Sequence, residues 1–128
     1  MFLRTLFIGI ILLTLGALAA CGSVNATPLP PLPIKIIVRD DKFEPNLLTG
    51  KVNQPIELTV ENQGTKPHSF VIDELKVKIA DIAPGQSGTA TFTSKQIRTY
   101  TNGGAYIFYS DVAGDKDAGL TGNISINP

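Results

Sequence analysis

Apolar and polar residues alternate along most of the chain beyond Pro33, with a period of two and not the 3.6 residues of a helix. The clearest alternation places Ile56, Leu58 and Val60 on one face of a strand. Glycine, proline and asparagine interrupt the apolar segments at short intervals, for example at the turn in residues 83–86. No segment long enough for a helix has helical periodicity. The chain is therefore predicted to fold from strands alone.

Apolar segments of strand length are bounded by such turns, and they lie at residues 34–39, 55–61, 69–72, 89–93, 105–109 and 122–126. About seven short strands with turns at these intervals predict an all-β domain, an antiparallel Greek-key β-sandwich. Residues 105–109 show no alternation, which is expected of a strand covered on both sides. The large apolar side chains are predicted to fill the core and not to line a binding site; they are Phe43, Phe70, Phe92, Tyr106 and Phe108.

The N-terminus resembles a secretion signal. Arg4 supplies a positive charge, and residues 6–18 form an apolar run of 13 residues, which is shorter than the ~20 residues of a membrane-spanning helix. The run ends in Leu-Ala-Ala-Cys at residues 18–21, which resembles the lipobox of bacterial lipoproteins. That resemblance implies that Cys21 receives a diacylglycerol and becomes the acylated first residue of the mature protein. The alternative is an ordinary secreted protein with a free cysteine.

Residues 22–33 contain four prolines among small polar residues, a composition typical of an extended polyproline II spacer. A ligand for a proline-binding groove is the alternative interpretation. We therefore predict a signal peptide at 1–20, a lipidated cysteine and Pro-rich tether at 21–33, and one domain at 34–128. This organisation predicts a protein anchored by lipid to the cell membrane or the outer membrane, facing the periplasm or the exterior.

The charge of the chain points to no strongly charged partner. Once Arg4 leaves with the signal, ten basic residues balance eleven acidic ones, and neither sign forms a run. This balance predicts no nucleic-acid partner. The predicted partners are the membrane, through the N-terminal lipid, and a protein of the cell envelope.

Residues 34–126 resemble a cupredoxin, and most closely the EfeO-type cupredoxin-like domains. The resemblance rests on residues 43–45, 50–58, 62–70, 82–86, 89–92, 104–109 and 119–122. In copper-binding members it implies one histidine ligand at the position of His68, and a cysteine, a second histidine and a methionine on the loop after the penultimate strand. Here Ser110, Asp115 and Leu120 occupy those three positions, so only one of the four ligand types matches.

These replacements bear directly on copper chemistry. A blue-copper site needs two imidazoles, a thiolate and a weak axial ligand, and a serine hydroxyl does not ionise to replace the thiolate. The mature chain has His68 as its one histidine, Cys21 as its one cysteine, and no methionine. We therefore predict no cofactor, a degenerate copper site, and no copper electron transfer.

Three functions are compared for a domain of this kind. The first is a binding or scaffolding module that presents its loops to an envelope partner. The loop at residues 94–103 is the main candidate for this surface, and a flexible connection is an equally good interpretation of it. The second is an accessory or uptake-related protein that binds Zn(II), Cu(II), Mn(II) or Fe(III) through His68 and Asp115, with Asp111 or Asp117. The first of these is the prediction made here.

The third function is hydrolysis by Ser110, His68 and Asp115, which supply a hydroxyl, an imidazole and a carboxylate. Such a triad also needs an imidazole oriented by the carboxylate and an oxyanion hole, for which the sequence carries no signal. The chain is therefore predicted not to be an enzyme.

Overall fold

The computed structural model describes residues 26–101 and 104–128, so the predicted leader and Cys21 lie outside the described residues. The described chain forms nine strands: β1 (Leu32–Val38), β2 (Phe43–Glu44), β3 (Leu47–Lys51), β4 (Ile56–Asn62), β5 (His68–Ile72), β6 (Val77–Ile82), β7 (Ser87–Phe92), β8 (Tyr106–Tyr109) and β9 (Thr121–Asn127). One turn of 3-10 helix, Asp73–Leu75, joins β5 to β6. Within these ranges no helix is both long and apolar enough to cross a bilayer.

The strands form two sheets, one ordered β2-β1-β4-β7 and the other β3-β9-β8-β5-β6. The prediction of an all-β sandwich is confirmed. The sheets are mixed, however, because β1 pairs with β4, and β3 with β9, in parallel. Six of the nine strands correspond to the predicted apolar segments, against about seven strands expected in all. The other three had no predicted segment: β2 spans two residues, β3 contains Gly50, and β6 contains Asp81, with a φ of 51°. Each of these features weakens the strand signal in a sequence.

The core lies between the sheets and is centred on three aromatic rings. Phe43 packs edge-on against Phe70 and Phe108, with ring centroids 5.8 and 5.4 Å apart, while Phe70 and Phe108 stack at 5.0 Å. All five aromatic residues predicted for the core are buried. The prediction that residues 105–109 are covered on both sides is wrong, because the side chain of Ile107 points away from the core and is 55% exposed.

The sandwich has two distinct ends. Strand β1 begins at Leu32, opposite Ile56, and runs to Val38, opposite Asn62. Strand β1 therefore begins two residues before the predicted apolar segment at residues 34–39. We call the end at which β1 starts the basal end; among the described residues it carries 51–55, 73–76, 93–101, 104–105 and the last residues of β9. The opposite end, called the His68 end, carries the loops at 39–42, 63–67, 83–86 and 110–120.

Candidate functional site

His68 is the first residue of β5 and its side chain is fully buried. The loop that precedes it is held by Asn62, a buried amide at the end of β4. Asn62 Nδ2 donates hydrogen bonds to the carbonyls of Lys66 (2.8 Å) and Ile82 (2.7 Å), and Asn62 Oδ1 accepts one from the Gly64 amide (2.8 Å). Both polar atoms of this buried amide are thus satisfied, which fixes the path of the loop over the imidazole.

The loop between β8 and β9 brings a carboxylate against the ring. Asp115 Oδ2 lies 2.7 Å from His68 Nδ1 and accepts a hydrogen bond of 2.6 Å from Ser110 Oγ. Ser110 Oγ in turn accepts a hydrogen bond of 3.1 Å from the Ser69 amide. His68, Ser110 and Asp115 are all 0% exposed. The structure therefore brings together three of the site positions that the sequence pointed to.

A second carboxylate lies on the other side of the ring. Asp40 Oδ1 is 3.0 Å from His68 Nε2, and Asp40 is held in place by the amide (2.8 Å) and the hydroxyl (2.7 Å) of Thr65. Gly64 permits this approach, because a Cβ atom at residue 64 would collide with Asp40 Oδ1 and come within 3.0 Å of His68 Nε2. The imidazole is therefore clamped between the β1–β2 loop and the β8–β9 loop.

The two carboxylates favour their ionised forms. Hydrogen bonds from the Thr65 side chain and amide, followed by the one from His68, hold the pKa of Asp40 well below its usual range. Burial raises the pKa of Asp115, but hydrogen bonds from Ser110, His68 and Lys66 outweigh it and leave that pKa lowered. Ionised carboxylates only accept hydrogen bonds, so both ring nitrogens of His68 face hydrogen-bond acceptors.

The remaining oxygen of Asp115 faces a lysine. Lys66 Nζ lies 3.1 Å from Asp115 Oδ1 and forms an ion pair with it, although among the described residues this oxygen accepts no well-aligned hydrogen bond. Lys66 is about half exposed, whereas Asp115 is buried. The buried carboxylate therefore contacts the His68 imidazole inside the domain and the Lys66 cation at its surface.

The other two aspartates considered for a metal site do not contact His68. Asp111 accepts hydrogen bonds of 2.6 Å from both Ser69 Oγ and Lys78 Nζ, and these interactions, with Lys78 the larger, lower its pKa. Asp117 is exposed. Within the described ranges, no group of three or more histidine, cysteine, aspartate or glutamate side chains is arranged to hold a metal ion.

Leu120 also belongs to this region. Its side chain is fully buried in the core cluster, its amide donates to the Asp115 carbonyl (3.0 Å), and its carbonyl accepts from the Ser110 amide (3.1 Å). The four positions singled out from the sequence, His68, Ser110, Asp115 and Leu120, are therefore adjacent. Cys21, the predicted lipid attachment residue, lies outside the described residues.

Sequence reasoning missed Asp40 as a partner of His68. Nothing in the sequence distinguishes it from Asp41 beside it, because both lie in a polar turn after β1. The sequence likewise gives no signal that Lys66 pairs with Asp115. Both contacts depend on loops that are distant in sequence and meet only in the folded domain.

The geometry differs from that of a hydrolytic triad. In a triad the imidazole lies between the hydroxyl and the carboxylate. Here Asp115 lies between Ser110 and His68, and the serine donates to the carboxylate. Ser110 is also buried, with no exposed face for a substrate. The cluster therefore provides an ordered, charge-compensated link between strands and loops.

The segment at 94–103 is described up to Thr101. It is held against β9 at Arg98, whose amide donates to the Ile126 carbonyl (2.9 Å) and whose carbonyl accepts from the Ile126 amide (2.7 Å). The Arg98 guanidinium pairs with Glu74 (2.8 Å) and lies over the ring of Tyr106 (4.7 Å). The first half of this segment is thus bound to the sandwich.

Two mixed sheets around an aromatic core, with a buried histidine at the head of β5, define a cupredoxin-like β-sandwich. The family model of the cupredoxin-like domain matches residues 7–119. The chain therefore belongs to the cupredoxin-like domain family.

Solved structures agree with this assignment. The crystal structure of Na-dithionite reduced auracyanin from the photosynthetic bacterium Roseiflexus castenholzii is 19% identical, with a TM-score of 0.63 over 75% of this chain and 97% of that chain. Auracyanin B is 20% identical, also with a TM-score of 0.63, over 82% of this chain and 94% of its own. No curated protein sequence matches significantly. At such identities the structural similarity establishes the fold alone.

Proposed function

We propose that this chain is a lipid-anchored protein of the cell envelope whose cupredoxin-like domain is a binding or scaffolding module without a functional blue-copper site. The observation that carries this proposal is the His68–Asp115–Ser110 cluster. Its side chains supply one imidazole, one carboxylate and one hydroxyl, and Leu120 supplies no ligand atom. The described residues contain no thiol and no second imidazole, so they do not fit the donor set of blue copper.

The hydrogen bonds of the cluster hold distant loops together, as a metal ion bound to ligands from several loops would. They join the start of β5 to the β8–β9 loop through Asp115 and to the β1–β2 loop through Asp40. A rigid sandwich that holds its loops in this way supports a surface for a partner. Function in this proposal therefore depends on the shape and charge of the loops and not on redox chemistry.

The lipid anchor rests on the sequence alone. Residues 6–18 are apolar, and Cys21 follows small residues in a lipobox-like sequence. Several acyl chains on one cysteine give a stable anchor, since each buried methylene contributes about 0.8 kcal/mol. The anchored protein faces the periplasm or the exterior, where its partner is a component of the envelope.

Three measurements test the proposal. The intact mass of the chain purified from membranes should include a diacylglycerol on Cys21, and replacing Cys21 by serine should release the protein from the membrane fraction. Titration of the purified protein with Cu(II) should give no intense thiolate-to-copper band in the visible spectrum. Observing that band would show that the domain has a functional blue-copper site and would overturn the proposal.

A second candidate is a carrier of Zn(II), Cu(II) or Fe(III), and the contact between His68 and Asp115 favours it over other metal hypotheses. A metal ion at this position would have to displace the hydrogen bond between them. Calorimetric titrations of wild type and of His68→Gln, with circular dichroism to verify folding, distinguish the two functions. We expect indistinguishable binding curves, and binding that depends on His68 would favour the metal carrier.

A further inference from the structure

The two ends of the domain differ in charge. The loops and strand ends at the His68 end carry four basic and eight acidic residues; the acidic ones are Asp40, Asp41, Glu44, Glu61, Asp81, Asp111, Asp115 and Asp117. Counted in the same way over its loops and strand ends, the basal end carries three acidic residues, Glu57, Asp73 and Glu74, and five basic ones, Lys51, Lys76, Lys78, Lys95 and Arg98. A nearly neutral chain is therefore arranged as a dipole, net negative at the His68 end and net positive at the basal end.

The positive charge of the basal end is accessible. Lys51, Lys76 and Lys95 are exposed, and within residues 26–101 and 104–128 their side chains form no ion pair. Two of the three acidic side chains of this end already have partners, because Glu74 pairs with Arg98 and Asp73 accepts a hydrogen bond from Tyr109. Lys78 is likewise paired, with Asp111. Three lysines are thus left to attract an external anion.

Exposed apolar groups lie at the same end. Ile97 is 44% exposed and Tyr100 is 52% exposed, and both belong to the connection between β7 and β8. A tyrosine with a polar tip and an apolar ring suits the headgroup region of a bilayer. Apolar side chains beside unpaired lysines are the combination that binds anionic lipid surfaces.

The chain also approaches the domain from this end. The proposed lipidated Cys21 is followed by residues 22–31, which lead into β1 at Leu32, the basal end of the sandwich. Ten residues reach at most about 30 Å as polyproline II. The tether therefore confines the domain near the headgroups. At that distance a weak attraction is sufficient to bring the basal end within ~10 Å of the headgroup charges, the range over which salt leaves them largely unscreened.

We propose that the basal end is a membrane-facing surface that docks on anionic phospholipid headgroups through Lys51, Lys76 and Lys95 with Ile97 and Tyr100. The negative His68 end then projects into the aqueous space, where it is presented to the envelope partner. This inference rests on the lipid anchor of the proposed function. It adds an orientation and a lipid class to that function.

Quenching by headgroup-labelled lipid tests the orientation. Because the thiol of Cys21 carries the lipid, a fluorophore can be attached to a cysteine introduced elsewhere. Gln96→Cys places it at the basal end, and Ala113→Cys places it at the His68 end as the matched position. Both positions are exposed. The full-length lipidated protein is reconstituted into phosphatidylcholine vesicles with or without roughly a third phosphatidylglycerol. We expect nitroxide headgroups to quench position 96 strongly and position 113 weakly, and phosphatidylglycerol to increase that difference.

Charge variants separate docking from simple tethering. Changing Lys51, Lys76 and Lys95 to glutamine should bring the quenching at position 96 down to that at position 113. Changing Lys35, Lys42 and Lys116 to glutamine removes the same charge away from the basal end and should leave the difference intact. Equal quenching of the two positions in lipidated protein, or no response to phosphatidylglycerol, would overturn the docking surface, and the latter would favour a protein partner for this end.

The intact mass distinguishes this failure from failure of the proposed function. A chain without diacylglycerol on Cys21 contradicts the proposed lipid anchor, and the proposed orientation, which depends on that anchor, is then contradicted as well. A lipidated chain with symmetric quenching leaves the anchor in place and contradicts the orientation alone.

Discussion

His68 Nδ1 and Asp115 Oδ2 lie 2.7 Å apart, and both side chains are fully buried although 47 positions separate them in the sequence. The contact joins the first residue of β5 to the loop between β8 and β9. Each group has a further partner, Asp40 for the imidazole and Ser110 for the carboxylate. A buried pair with all its partners present is tolerated, whereas removing one member leaves a buried polar or charged group without its partner.

Replacing Asp115 by asparagine should therefore destabilise the domain strongly. The neutral amide removes the buried carboxylate that both His68 and Ser110 contact, and breaking a buried pair of this kind typically costs about 3–5 kcal/mol. Urea unfolding at neutral pH measures the loss. Asp117→Asn in the same loop is the matched control, and at an exposed position it should change the free energy of unfolding by about 0.5 kcal/mol or less. Similar losses for the two variants would contradict the role assigned to Asp115.

Acid should destabilise the domain through Asp40 and Asp115. Both have a lowered pKa in the folded protein, so below about pH 4 the unfolded chain binds protons that the folded domain resists. Their contribution to the free energy of unfolding is present above that pH and is lost as the pH falls through the folded pKa values. Urea midpoints measured from about pH 6 down to about pH 2.5 follow this loss.

Asp40→Asn should flatten that acid dependence, because the variant lacks one of the two carboxylates. Asp41→Asn, at the exposed neighbouring position, is its control. If the two variants lose stability equally steeply between neutral and acidic pH, Asp40 does not contribute to the linkage.

Gly64→Ala should disturb the clamp on His68. The added methyl group would collide with the Asp40 carboxylate and crowd the imidazole, and overpacking of this kind typically costs about 1–3 kcal/mol. The double variant Asp40→Ala/Gly64→Ala provides the test, because an alanine in place of Asp40 no longer offers the carboxylate that collides. We expect the cost of Gly64→Ala to be smaller in the Asp40→Ala background. Strictly additive costs would show that the two residues are not coupled.

Restoring a copper donor set should restore copper chemistry. In the triple variant Ser110→Cys, Asp115→His and Leu120→Met, a thiolate and a second imidazole join His68 at adjacent buried positions, with a thioether at the third. Titration with Cu(II) should give an intense visible band that wild type lacks. The double variant Ser110→Cys/Leu120→Met, without the second imidazole, should lack the stable blue form. A folded but colourless triple variant would contradict the correspondence of these positions to copper ligands.

The fold was predictable from the sequence to a large extent. Alternation marked β1, β4 and β9, and the aromatic residues that were expected to be buried form the core. Short or polar strands were not predictable, as β2, β3 and β6 illustrate, because two residues or a glycine within a strand give little local signal. The parallel pairing of β1 with β4 is also invisible locally, since pairing direction depends on how distant segments pack.

The candidate site divides in the same way. The residue types at positions 68, 110, 115 and 120 are given by the sequence, and they determine that a thiolate and a second imidazole are missing from the folded domain. Only the tertiary structure decided what those residues do instead. Asp115 turns its carboxylate to both Ser110 and His68, and Asp40, indistinguishable from Asp41 in the sequence, closes the other side of the ring. The reason is physical: residue type fixes which chemistry is available, whereas burial and the meeting of distant loops fix the partner of each polar group.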